Sequence, residues 1–231
     1  MRTEPKGDGA AVSVERIDVA TDPPVRGILH PAASSGADGL VLTHGAGGNA
    51  DAPLLVAVAE AFAARGVTVL RCDLPFRQAR PRGGPSPAGA ARDREGLRAS
   101  LRLLRERVGG RLFLGGQSYG GRQASMLLAA EPALASGLLL QSYPLHPPGR
   151  PSDLRIAHLP ALRVPTLFVI GTNDPFGSLA ELDKARELIP GRTSLLKVNG
   201  GHDLGWSRKK RGDATLPERI AHAFLEFAGP G

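Results

Sequence analysis

The chain has little cysteine, few aromatic side chains and no long hydrophobic run. Its single cysteine, Cys72, excludes an internal disulfide framework and a cysteine-based metal site. We interpret Cys72 as a half-buried small hydrophobic residue at the end of an apolar run rather than as a nucleophile. Aromatic residues make up only 4% of the chain, which argues against a large hydrophobic tunnel for lipids. No apolar stretch approaches the length of a membrane span, and residues 1–9 lack the apolar core of a signal peptide, so we expect a cytoplasmic protein.

Motifs for metals and nucleotides are also missing. There is no cluster of histidine and cysteine at ligand spacing and no phosphate-binding loop that ends in lysine. The glycines at positions 45, 47 and 48 do not form the dinucleotide fingerprint. We therefore predict no metal and no cofactor.

The positive charge is spread along the chain. The net charge is +7, but the arginines between residues 92 and 107 alternate with Asp93, Glu95 and Glu106, which is typical of a solvated helix face. The densest basic run, residues 207–211, is interpreted as an exposed loop. We expect no nucleic-acid partner, and the oligomeric state stays open.

Extended and helical patterns alternate along the chain. Strands are predicted at residues 12–19, 25–30, 40–43, 67–71, 111–114, 137–141, 166–170 and 194–198. Helices are predicted at residues 52–65, 90–108, 121–130, 179–189 and 216–227. Residues 74–89 and 142–151 contain too many prolines and glycines for regular structure. The alternation predicts an α/β fold with a mostly parallel, doubly wound sheet, helices on both faces and no separate cap domain, formed by one domain at residues 10–231 after a flexible tail at 1–9.

The run Gly-Gln-Ser-Tyr-Gly at residues 116–120 is the most informative motif. It follows a predicted strand and precedes a predicted helix, as a nucleophile elbow does. Ser118 would lie at the apex of a strained turn. Gly116 and Gly120 would flank it because a Cβ at either position would collide with the neighbouring strand or helix.

Two further strand-end loops supply partners for Ser118. His202 is the predicted base that takes the serine proton, and Asp174 is the predicted acid that orients the imidazole. Asp174 also has an alternative reading as a helix cap, and Asp203 is its competitor as the acid. The backbone amides of Tyr119 and Ala46 are the predicted oxyanion donors, and Gly47 is the alternative to Ala46.

Four residues are candidates for contact with the substrate, namely His44, Gly47, Arg77 and Tyr143. His44 also has a structural interpretation, in which it ties its glycine-rich loop in place. Arg77, with the arginines at 80 and 82, would attract an anionic acyl substrate, and a mobile solvated loop is the alternative.

With these residues identified, the chain resembles the α/β-hydrolase superfamily over nearly its whole length. The similarity is strongest to the small dienelactone-hydrolase-like branch. Within that branch, the chain resembles the testis-expressed hydrolase-like proteins and the hydrolase-like subunit of a histone-acetyltransferase complex. The motifs that carry the resemblance are residues 44–48, 74–77, 116–122, 143–149, 171–177 and 202–203.

The resemblance implies hydrolysis of an ester or related acyl bond through a covalent acyl-enzyme, on a small-molecule substrate of small or medium size. Dienelactone hydrolases usually have cysteine at the nucleophile position, where this chain has Ser118. Two other functions stay open: acyl transfer with the same three residues, and a non-catalytic interaction module that keeps the fold.

Overall fold

A computed structural model describes residues 13–32, 37–207 and 211–229. The predicted tail at 1–9 and part of the basic run at 207–211 therefore lie outside the described residues. The strands are β1 (Glu15–Val19), β2 (Val25–His30), β3 (Gly39–Thr43), β4 (Thr68–Cys72), β5 (Leu112–Gln117), β6 (Leu138–Gln141), β7 (Thr166–Gly171) and β8 (Thr193–Val198). The α-helices are α1 (Pro53–Ala63), α2 (Pro75–Ala79), α3 (Ala90–Arg105), α4 (Tyr119–Ala130), α5 (Leu179–Arg186) and α6 (Leu216–Ala228).

The eight strands form one sheet in the order β1-β2-β4-β3-β5-β6-β7-β8. The β1–β2 and β2–β4 pairs are antiparallel, and all other pairs are parallel. Every residue of β3, β4 and β7 is buried, as expected for parallel strands that are covered on both faces. The prediction of a mostly parallel, doubly wound α/β sheet is confirmed.

Two hydrophobic cores lie on opposite faces of the sheet. Helices α3, α4 and α5 contribute leucines such as Leu97, Leu127 and Leu182 to one core. Helices α1 and α6 contribute Phe62 and Phe224 to the other, where the two rings meet edge to face. The apolar spacing along each helix therefore determines which face of the sheet it covers.

The segment at 74–89 differs from the prediction of irregular structure. It contains the short helix α2 and a single 3₁₀ turn at Pro87–Gly89. Both begin with a proline, which is tolerated at the first helical position because that N–H needs no intrahelical partner. Proline therefore starts these two elements, whereas the prediction treats it as a helix breaker.

Two arginines of α3 form ion pairs with neighbouring carboxylates. Arg98 pairs with Glu95 and Glu131, and Arg92 pairs with Asp22. These pairs agree with the interpretation of a solvated helix face, but Asp93, which the prediction assigns to that face, is fully buried.

Candidate active site

Ser118 lies at the sharp turn between β5 and α4, at the carboxyl edge of the sheet. Its φ of 50° and ψ of −116° are unusual for a residue with a Cβ and mark local backbone strain. A Cβ on Gly116 would lie 2.6 Å from the nitrogen of Gly121, and one on Gly120 would lie 2.4 Å from the backbone oxygen of His44. The two flanking glycines are thus required by close backbone approach, as the sequence analysis expected.

Two polar side chains extend from Ser118 in a hydrogen-bonded chain. The Ser118 Oγ lies 2.8 Å from Nε2 of His202. The Nδ1 of His202 lies 2.9 and 2.8 Å from the two carboxylate oxygens of Asp174. The Asp174 side chain is fully buried, and that of His202 is 23% exposed. With the Nδ1 proton donated to the carboxylate, Nε2 is left to accept the proton of the serine hydroxyl.

The loops that carry the acid and the histidine are bound to each other. The N–H of Asn173 donates to the oxygen of Gly200 over 3.0 Å. A Cβ on Gly171, at the end of β7, would lie 2.2 Å from the oxygen of Gly201, so only glycine permits this approach. Main-chain contacts between the two loops therefore hold the acid and the imidazole in register.

Phe176 is a site residue that the sequence analysis missed. Its ring stacks on the imidazole of His202, with centroids 4.0 Å apart and planes 28° apart. Its N–H also donates to the carboxylate of Asp174 over 2.9 Å. Its place two residues after Asp174, in the run Asp-Pro-Phe-Gly, is the only signal the sequence offers.

The two predicted oxyanion donors flank the serine. Tyr119 is the first residue of α4, so its N–H has no acceptor within the helix. The Gly45–Ala46 segment packs against the nucleophile, since a Cβ on Gly45 would lie 3.3 Å from the Cβ of Ser118. Both Tyr119 and Ala46 line the same cavity as Ser118. The Tyr119 hydroxyl donates to the buried carboxylate of Asp93 over 2.7 Å, which fixes the ring as a wall of the cavity.

Of the four substrate-contact candidates, only Gly47 lines this cavity. His44 is fully buried; its Nδ1 donates to the oxygen of Gly45, its Nε2 accepts the N–H of Leu74, and burial lowers its pKa. This is the structural role considered for it. Tyr143 is also buried, and its hydroxyl donates to the backbone oxygen of Arg155 over 2.7 Å. The expectation that these two side chains contact the substrate is corrected.

Arg77 is the third correction. Its guanidinium is buried and donates to the backbone oxygens of Ala46, Gly48, Arg80 and Gly83. All these bonds hold the glycine-rich loop against the segment after α2. Arg77 therefore supports the loop with four of its five guanidinium N–H groups, and it does not line the cavity beside Ser118.

Cys72 differs slightly from its prediction. It is fully buried rather than half-buried, and burial raises the pKa of its thiol to about 11. It is thus protonated at neutral pH and has no access to solvent, which is unsuitable for a nucleophile.

The cavity beside Ser118 has a volume of about 870 Å³. Residues 85–87 and Ala90 form one wall, and Pro144, Arg155 and Phe176 contribute others. The two irregular segments thus contribute residues to the cavity wall, and Arg155 lies beyond the predicted end of the second segment at 151. Across the described ranges, no helix is long and apolar enough to cross a membrane, and no cluster of three potential metal ligands occurs.

Comparison with known proteins identifies the family. Residues 36–229 match the family described as an alpha/beta hydrolase domain. Three solved structures share the fold. A dienelactone hydrolase from Anabaena variabilis is 19% identical, with 93% of this chain and 97% of that chain covered and a TM-score of 0.74. The esterase Pf2001 from Pyrococcus furiosus is 14% identical, with 98% and 96% covered and a TM-score of 0.66. The protein TT1662 from Thermus thermophilus is 25% identical, with 95% and 99% covered and a TM-score of 0.66. The match over most of its length shows that this chain belongs to the alpha/beta hydrolase family.

Proposed function

We propose that this protein is a serine hydrolase that cleaves a carboxylic ester through an acyl-enzyme on Ser118. The observation that carries the proposal is the unbroken chain of hydrogen bonds from Ser118 Oγ through His202 to the buried carboxylate of Asp174. A serine hydroxyl is a weak nucleophile unless a base lies within hydrogen-bond reach. A structural serine in a turn has no need of such a base.

In the first half of the reaction, Ser118 Oγ attacks the acyl carbon and its proton passes to His202 Nε2. The carbonyl oxygen becomes an oxyanion, for which the N–H groups of Tyr119 and Ala46 are the proposed donors. When the tetrahedral intermediate collapses, the bond to the alcohol breaks and His202 returns the proton to the leaving alkoxide. Asp174 stabilises the imidazolium in both steps.

In the second half, water attacks the acyl-enzyme and gives its proton to His202. Collapse releases the carboxylic acid and returns the proton to Ser118 Oγ. The substrate is a small or medium acyl ester, in keeping with a cavity of about 870 Å³. A solved relative whose name describes it as an esterase adds support for an ester as the substrate.

Labelling with a fluorophosphonate probe tests this proposal directly. We expect modification of Ser118 in the intact protein and none in Ser118→Ala or His202→Ala. Ser86 also lines the cavity, so Ser86→Ala is the matched control and should label normally. A folded protein that does not label would refute the proposal and favour a non-catalytic interaction module.

A further inference from the structure

Two arginines that line the active-site cavity have no hydrogen-bond or ion-pair partner for their side chains among the described residues. Six other arginines of the described ranges are buried or half-buried, and each makes a hydrogen bond or an ion pair; they are Arg71, Arg77, Arg94, Arg98, Arg111 and Arg186. Arg122 and Arg155 are also half-buried, but their guanidinium groups make neither kind of contact with any described residue. A half-buried cation without a partner is costly, so these two groups call for an explanation.

Both arginines line the cavity that contains the reacting groups. Arg122 is one helical turn after the nucleophile, and its backbone N–H donates to the backbone oxygen of Ser118 over 2.9 Å. Its Nε is buried and unpaired, while the residue lines the cavity together with Ser118 and His202. The Arg122 side chain thus extends from the elbow helix into the space where a substrate would lie.

Arg155 reaches the same cavity from the loop after β6. Its backbone is held at both polar groups, because its N–H donates to the oxygen of Leu145 over 2.7 Å and its oxygen accepts the hydroxyl of Tyr143 over 2.7 Å. The loop therefore presents this guanidinium from a fixed backbone.

The two positive charges influence their surroundings. Burial lowers the pKa of Arg155, and the charge of Arg122 lowers it further, although Asp153 and Tyr143 partly offset the shift. Burial, with Arg122 and Arg94, also lowers the pKa of His158 to about 4. Asp203 is the acidic residue that lines the cavity, but it is exposed and accepts the N–H of Gly205. Two arginines and one exposed carboxylate line the cavity, so its lining carries a net positive charge.

We propose that Arg122 and Arg155 together bind a carboxylate of the substrate, so that the enzyme prefers esters whose acyl group carries a second, ionised carboxyl group. This inference rests on the proposed function, because the ester carbonyl must lie at Ser118 while the free carboxylate lies at the arginines. Guanidinium groups match the planar carboxylate with paired N–H donors, and they stay charged at neutral pH. The positive charge that the sequence suggested at Arg77 thus comes instead from Arg122 and Arg155.

The test compares two esters of the same acyl chain, monomethyl glutarate and dimethyl glutarate, with methanol release as the assay. We expect kcat/KM for the charged monoester to be at least about ten-fold higher than kcat/KM for the diester. The ratio of these two kcat/KM values should fall about ten-fold or more in Arg122→Gln and in Arg155→Gln. Arg122→Lys keeps the charge but loses the paired donors, so part of the ratio should remain. Arg150→Gln, an exposed arginine of the same loop, is the matched control and should leave the ratio unchanged.

Binding without turnover gives a second readout. Glutarate titrated calorimetrically into Ser118→Ala should bind, and binding should be lost when Arg122→Gln or Arg155→Gln is added. Thermal melting of each variant verifies that it is folded. Equal turnover of the two esters, or glutarate binding that is unchanged by both arginine substitutions, overturns the inference. If Ser118 is still labelled by the fluorophosphonate in that case, the hydrolase proposal stands. Absent labelling with intact, arginine-dependent glutarate binding refutes the hydrolase proposal and retains the anion site.

Discussion

Replacing Asp174 by asparagine is the sharpest perturbation of the proposed mechanism. The substitution keeps the shape of a fully buried side chain and removes its charge. It also changes hydrogen bonding, because the asparagine amide can donate to Nδ1 of His202 and thereby favour the tautomer with its proton on Nε2. That tautomer cannot accept the proton of Ser118.

The expected size of the effect follows from the contact distances. The carboxylate oxygens lie 2.8 and 2.9 Å from Nδ1 of His202. Two opposite charges whose centres are about 4 Å apart attract by about 4 kcal/mol at the effective dielectric constant near a protein surface. Loss of that attraction in the transition state corresponds to a roughly thousand-fold fall in kcat.

The assay is steady-state hydrolysis of a small ester, with the rate of fluorophosphonate labelling as a second measure. Asp203→Asn is the matched control, because Asp203 is adjacent to the histidine but exposed and bonded to Gly205. We expect it to lower kcat by no more than about three-fold, or about 0.7 kcal/mol. If Asp174→Asn kept more than about a tenth of the activity, or if Asp203→Asn had the larger effect, the assignment of the acid would be wrong.

Three further predictions concern the surroundings of the site. Phe176→Ala removes the ring stacked on His202 and should lower kcat by about ten-fold through loss of imidazole orientation, with a smaller effect on KM; an unchanged kcat in the folded variant would contradict this. Gly120→Ala places a Cβ 2.4 Å from a backbone oxygen and should lower the free energy of unfolding in urea by about 1–3 kcal/mol or more. Gly47→Ala adds a Cβ in open space and should change this free energy by less than about 0.5 kcal/mol. Equal effects of the two substitutions would refute the steric argument. Burial lowers the pKa of His158 to about 4 in the folded protein. The unfolded chain therefore binds more protons between that pH and about 6.5, so the free energy of unfolding should fall as the pH drops through this window. His158→Gln should reduce this pH dependence, and an unchanged slope in urea unfolding between about pH 7 and about pH 4.5 would contradict the prediction.

Much of the fold could be predicted from the sequence because short segments determine it. The strand at Val25–His30 has the predicted bounds, and Leu97, Leu101 and Leu104, which recur at helical spacing in the sequence, form the buried face of α3. Element ends were less accurate. Strand β5 continues through two glycines to Gln117, whereas a propensity argument ends it at Leu114. A Cβ on Gly115 would lie 2.8 Å from the side chain of Leu42 on β3, so glycine is needed there for the two strands to pack together. Packing between strands outweighed local propensity there.

The candidate site was predictable where chemistry and local geometry coincide. Ser118 was recognisable because a strand, two close glycines and a helix leave one position at the turn. Asp174 and His202 were recognisable because polar residues that follow parallel strands share one edge of the sheet. Arg155 carried no such signal, since it lies in an irregular loop.

The class of sheet, the elbow and the residue types at the edge of the sheet can be deduced from the chain alone, because they depend on neighbouring residues. The side chains that face the cavity are known only from the folded protein. Arg77 and Tyr143 were expected there, but they bond to backbone oxygens of residues distant in the chain, while Arg122 and Arg155 remain open to it. Whether a polar side chain is available to a substrate depends on which groups fold against it, and those contacts arise only when distant segments are packed together.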